Sequence, residues 1–174
     1  NDNVSFTNNL SATGVQQIDV IAPLWDDLYH RASDAAEIRY ETSGTSPNQI
    51  FTVQWTNMSW RTTGNNISFQ LVLYEDSNNI QFNYGANTST DSRTASIGFN
   101  KGNSGSNFIS VTPGVPGTAS TSTDNNSISS SDYPGDGVTY IFTYAAPTCI
   151  TPTNVQNTVL AATTADFSWD AKMT

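Results

Sequence analysis

The chain has 174 residues, with 15 Asp and Glu against 6 Lys and Arg and a formal net charge of -9. That balance excludes nucleic acid and an anionic membrane surface as partners, because both are held through Lys and Arg. No apolar run is long enough to insert into a bilayer as a helix, and Asn, Ser and Thr exceed a third of the residues, a composition that favours turns and strand ends over long helices.

In chain order, the first informative stretch is "VIAPLWDDLYHR", Val20 to Arg31, where a core-like Pro-Leu-Trp precedes adjacent Asp26 and Asp27. Phe51, Val53 and Trp55 then alternate with Thr52 and Gln54, the period of a half-buried strand. The pattern returns with Ile67, Phe69, Leu71 and Leu73, with Ile80, Phe82 and Tyr84, and with Ala95, Ile97 and Phe99. Val138, Tyr140, Phe142 and Tyr144 close the series. The intervening "TTGNN", "DSNN", "NKGNSGSN" and "PGDG" are turn chemistry, so the expected fold class is all-β, an antiparallel β-sandwich. The stretch Thr118–Asp132, nearly devoid of apolar residues, is expected to be a long surface loop within it.

After Tyr144 the character changes to a proline-punctuated entry, a strand around Val155, and alternating Ala165, Phe167 and Trp169. Residue 1 is Asn rather than Met, so a processed or partial product is expected. The lone Cys149 has no internal disulfide partner and is read as pairing outside this segment or as an inert thiol. Six N-x-S sequons begin at Asn3, Asn9, Asn57, Asn66, Asn87 and Asn125, which in so Asn- and Ser-rich a chain support a polar surface more than glycosylation.

Candidate chemistry is sparse. Adjacent carboxylates on an extended chain point to opposite sides, so Asp26 and Asp27 cannot face one another as an acid/base pair. A turn-capping role for one of them is favoured, with calcium the alternative, for which Asp34, Asp132 or Asp136 would add oxygens; no other cofactor is expected. His30 is the only histidine, and no Gly-x-Ser-x-Gly nucleophile turn occurs, so no enzyme is expected. Trp60 with Arg61 could offer a platform for sugar rings, against the plainer reading of Trp55 and Trp60 as core or rim residues.

The ordered set "IAPLWDD", "FTVQWTNMSW", "ISFQLVLYED", "IQFNYG", "ASIGFNKG" and "FISV" resembles the nidogen-like (NIDO) domain of extracellular proteins over about Asp19 to Thr112. The segment after Tyr144 resembles the first strands of a fibronectin type III domain, with Trp169 in the place of its buried tryptophan. The resemblances imply a nidogen-like sandwich over 1–146 followed by the incomplete start of an Ig-like, fibronectin type III sandwich over 147–174. The combination is similar to large surface proteins of Bacteroidetes exported by the type IX secretion system. That likeness implies an extracellular or cell-surface, non-catalytic module in adhesion or gliding, with surface proteins, secretion machinery or glycans as partners. The alternative is a carbohydrate-binding accessory module of a secreted multidomain hydrolase.

Overall fold

The computed structural model describes residues 8–11, 18–60, 66–88, 90, 92–102, 105–129, 131–147, 153–157 and 167–170. Its strands are β1 (Ile21–Trp25), β2 (Leu28–Tyr29), β3 (Glu37–Ser43), β4 (Ile50–Trp60), β5 (Ile67–Tyr74), β6 (Ile80–Asn87), β7 (Arg93–Asn100), β8 (Phe108–Thr112), β9 (Thr118–Ser120), β10 (Asn126–Ile128), β11 (Thr139–Phe142), β12 (Thr153–Asn157) and β13 (Phe167–Asp170). Among the described residues there is one 3-10 turn, Ala32–Asp34, and no α-helix. The all-β reading of the alternating runs is what the molecule adopts.

Two antiparallel sheets form a sandwich. The first runs β1-β7-β8-β9, with β10 also on β7; the second runs β11-β6-β5-β4-β2, with β3 on β4. The core lies between them. Leu24, Ala95, Ile97, Val111 and Ile128 from the first sheet meet Trp60, Ile67, Phe69, Leu71, Phe82, Tyr84 and Tyr140 from the second. Each large side chain of this layer contributes about 1.5–3 kcal/mol through removal from water. Aromatic edges link the sheets, as where Phe99 packs T-shaped on Phe142 at 5.1 Å between centroids. Tyr84 is buried and its hydroxyl donates to the Pro23 carbonyl at 2.6 Å, so its polar tip is satisfied inside the core.

Pro23 explains a local irregularity. It has no N–H to give a ladder, and β1 is an edge strand whose register against β7 shifts between Ala22 and Trp25.

The stretch Thr118–Asp132 departs from expectation: it is not all surface loop. It contains β9 and β10, and it buries Ile128 and Asn126. Its short polar side chains are the reason, since they find partners that a water-exposed loop would not need. Asn126 Nδ2 donates to the Val111 carbonyl at 3.2 Å, while its Oδ1 accepts from Thr112 Oγ1 at 3.0 Å. Ser110 Oγ, fully buried on β8, reaches the Ser120 carbonyl at 3.3 Å and that of Thr123.

The chain divides into two compact units, Asn1–Thr143 and Tyr144–Thr174. In the second unit β12 and β13 pair antiparallel, Thr153 opposite Asp170 and Asn157 opposite Phe167. The side chains of Val155 and Trp169, and Cys149 altogether, lie outside the described residues.

Gly98 is the backbone position that tolerates least. It holds φ +146 in the middle of β7, and an added Cβ would stand 2.1 Å from the Ile109 carbonyl oxygen and 2.8 Å from Ser110 Cα, both main-chain atoms of β8. A Cβ added at Gly102, at φ +65, would meet nothing within 4 Å. Gly98→Ala should therefore cost about 3 kcal/mol in urea unfolding, and Gly102→Ala only about 1 kcal/mol. Equal losses at the two sites would contradict this packing of β7 on β8.

Candidate functional site

The second sheet turns one face to the core and the other outward, and its register sets both. Directly opposed residues share a face, so Tyr40, Val53, Leu71, Phe82 and Tyr140 form an inward row across β3, β4, β5, β6 and β11. One residue earlier on β11 and β5, and one later or earlier on the other strands, the outward row reads Arg39, Gln54, Gln70, Asn83 and Thr139. It spans four interstrand spacings, about 19 Å.

These side chains are bonded to one another in a chain. Thr139 Oγ1 donates to Asn83 Oδ1 (3.0 Å), Asn83 Nδ2 to Gln70 Oε1 (3.1 Å), and Gln70 Nε2 to Gln54 Oε1 (2.7 Å). Gln54 Nε2 continues to Thr56 Oγ1 (2.8 Å). Gln81 joins from the next row, donating to Asn83 Oδ1 (2.7 Å) and accepting from Tyr74 OH (3.0 Å). A primary amide has two N–H donors and two acceptor lone pairs, so the ladder holds each group in place and still leaves donors and acceptors facing outward.

Two depressions lie on this face. One, of about 240 Å³, is lined by Gln54, Thr56, Ser68, Gln70, Asn83 and Gly85 together with Trp55, Phe69 and Tyr84. Its depth comes from small residues: a Cβ on Gly85 would meet Ser68 Cβ at 3.4 Å. The other, of about 360 Å³, is lined by Arg39, Tyr40, Glu41, Thr52, Gln54 and Gln70. Gln54 and Gln70 line both. The face offers fixed hydrogen-bonding groups.

The residues singled out in the sequence lie elsewhere. Trp60 is 1 % exposed and belongs to the core cluster, so its ring gives no face to a sugar. The reason is a bulge: β4 shifts register against β5 between Trp55 and Met58, where Asn57 has φ +51 and its N–H bonds Ser68 Oγ at 3.0 Å. The strand continues past that point and pairs with β2, Leu28 opposite Trp60. Arg61 lies outside the described residues.

Asp26 and Asp27 sit where the chain leaves β1 in the first sheet and enters β2 in the second. The Leu28 N–H donates to the Asp26 carbonyl at 2.9 Å, a tight turn. Burial pushes the Asp26 carboxyl above the usual range; the Asp27 backbone N–H and Arg93 oppose that shift, and Asp27 adds to it. Among the described residues no three His, Cys, Asp or Glu side chains converge as a metal site. Asp34 is engaged by Ser59 Oγ at 3.1 Å and Arg31 Nε at 3.5 Å, and Asp132 accepts from Ser129 Oγ at 2.5 Å. His30 is exposed after β2.

Comparison with known families decides the kinship: the model described as NIDO related matches residues 1–144. The chain belongs to the NIDO-related family. No curated protein and no solved structure matches it. Membership points to an extracellular module, and NIDO-like sandwiches are typically non-catalytic. No helix among the described residues is long and apolar enough to cross a membrane.

Two outcomes follow. A carboxyl whose folded pKa is raised adds stability below its unfolded pKa and loses it as pH rises through the folded value. Asp26→Asn should thus raise the unfolding midpoint at pH 7 and give no advantage below about pH 3.9; a lower midpoint at pH 7 would contradict the burial effect. Trp60→Ala should cost about 3–5 kcal/mol of stability by calorimetry, as loss of a core ring does, where a surface platform would leave stability near wild type.

Proposed function

We propose that the chain is a non-catalytic extracellular module of a large secreted cell-surface protein, acting in adhesion or gliding, and that its outward amide face is the contact surface. The observation that carries the reading is the bonded row from Thr139 to Thr56, a rigid polar array on one face of a NIDO-related sandwich. Preorganised donors and acceptors bind at a lower cost in ordering than mobile side chains do. Residues 147–174 fit the reading as a fibronectin type III-like segment that follows a nidogen-like domain over 1–146. The setting this pairing resembles is a Bacteroidetes surface protein exported by a type IX secretion system, with surface proteins, secretion machinery or glycans as partners. The reading needs no cofactor.

A second reading, a carbohydrate-binding accessory module of a secreted hydrolase, is favoured by the chemistry of the same face. Sugar hydroxyls both donate and accept, as primary amides do, and the depression over Gly85 gives a ring somewhere to sit. In this form the reading rests on Gln54, Gln70 and Asn83 instead of Trp60.

Beads carrying the chain can be tested for retention by cells of its source and by a panel of insoluble polysaccharides. Retention should fall about tenfold for Gln70→Ala combined with Gly85→Val, the first removing the centre of the ladder and the second filling the depression. Loss on cells alone supports the adhesive reading, and loss on a polysaccharide supports the accessory-module reading. Full retention of the folded double variant on every surface would contradict both.

A further inference from the structure

Strand β3, "EIRYETS", is an edge strand. It pairs with β4 along its length, Glu37 opposite Thr56 to Ser43 opposite Ile50, and with no other strand among the described residues. An open edge presents unpaired N–H and C=O groups to any strand that fits. Two large apolar side chains on it face the core side of the sheet, yet Ile38 is 52 % and Tyr40 79 % exposed. The Tyr40 ring lies 6.2 Å from Phe51. The charged residues Glu37, Arg39 and Glu41 occupy the other face.

We propose that β3 pairs antiparallel with β3 of a second copy of this chain, across a twofold axis at Tyr40, joining the two second sheets into one. Tyr40 is the middle residue of β3, so this axis pairs every residue of the strand. It sets Arg39 of each copy opposite Glu41 of the other, Ile38 opposite Thr42, and Tyr40 against Tyr40. Opposite charges on directly opposed residues attract, and like charges repel.

Neighbouring registers lack this match. An axis at Arg39 sets that guanidinium against its own copy and Glu37 against Glu41. An axis at Glu41 sets two carboxylates together. An axis between two residues turns the charged face of one strand to the side where the other carries Ile38 and Tyr40. An axis at Ile38 also sets Arg39 opposite Glu37, but it pairs only Glu37 to Arg39 of the strand, so the axis at Tyr40 is the one that joins full overlap to a match in charge and in polarity. Within one chain Arg39 Nη2 donates to Glu37 Oε1 at 2.6 Å. A guanidinium has five N–H donors, so it can keep that bond and still reach Glu41 of the second copy.

Sedimentation equilibrium of the full chain tests the pairing. The unaltered chain should show a reversible monomer–dimer equilibrium. Arg39→Glu alone and Glu41→Arg alone should each weaken it about tenfold, since both contacts in the pair become repulsive. An equimolar mixture of the two variants should dimerise again, because every contact between positions 39 and 41 then joins opposite signs. Both positions are exposed, and circular dichroism will establish that each variant keeps its β signal. A chain that stays monomeric, single variants that associate like the unaltered chain, or a mixture no better than either component would each overturn the proposal.

Discussion

The register of β3, β4, β5, β6 and β11 is the constraint on which the rest depends. It places Val53, Leu71, Phe82 and Tyr140 together under the first sheet, and by the same step places Gln54, Gln70, Asn83 and Thr139 together outside. A slip of one residue on any strand would send an amide into the core and an apolar side chain to the ladder. Burial of the inner row is worth far more than the outer hydrogen bonds, each of which nets about 1 kcal/mol at most when exposed. Hydrophobic burial therefore sets the register, and the polar face inherits an order it could not impose by itself.

The first sheet shows a different use of polar residues. Ser96 and Ser110 are fully buried and Asn100 nearly so, and each is tied to main-chain atoms of a flanking segment. Asn100 accepts from the Val20 N–H at 2.8 Å and donates to the Leu10 carbonyl at 3.0 Å; Ser96 Oγ lies 3.0 Å from the Asn8 carbonyl and 2.6 Å from that of Asp124. Short hydroxyl and amide side chains here satisfy loop carbonyls that water does not reach. An Asn- and Ser-rich composition thus serves the interior of this protein as well as its surface.

What was legible in the sequence follows from these two mechanisms. Strands β4 to β7 and β11 could be read because one face of each is apolar at period two, the direct trace of a half-covered sheet. In β3 the alternation of Ile38 and Tyr40 with Glu37, Arg39 and Glu41 rests on two apolar residues only, too short a run to stand out beside the longer strands. β9 and β10 were missed because Ser, Thr and Asn mark loops in most settings, and only the partners across space reveal Asn126 and Ser110 as clamps. Trp60 follows the plainer of its two readings, a core residue, and not the sugar platform, for a local reason: the extra residue at the Asn57 bulge carries the strand beyond the point where alternation fails, and turns the ring inward. The amide row was present as Gln54, Gln70 and Asn83, each midway in an alternating run. Nothing in a linear reading aligns three strands, so its continuity becomes visible only with the register.

The most direct test of this account is the register itself, read from main-chain nuclear Overhauser contacts between adjacent strands in isotope-labelled protein. The account predicts cross-strand contacts that set Gln54 opposite Gln70, Gln70 opposite Asn83, and Asn83 opposite Thr139. Contacts displaced by one residue on any of these strands would scatter the amide row between the two faces and contradict it.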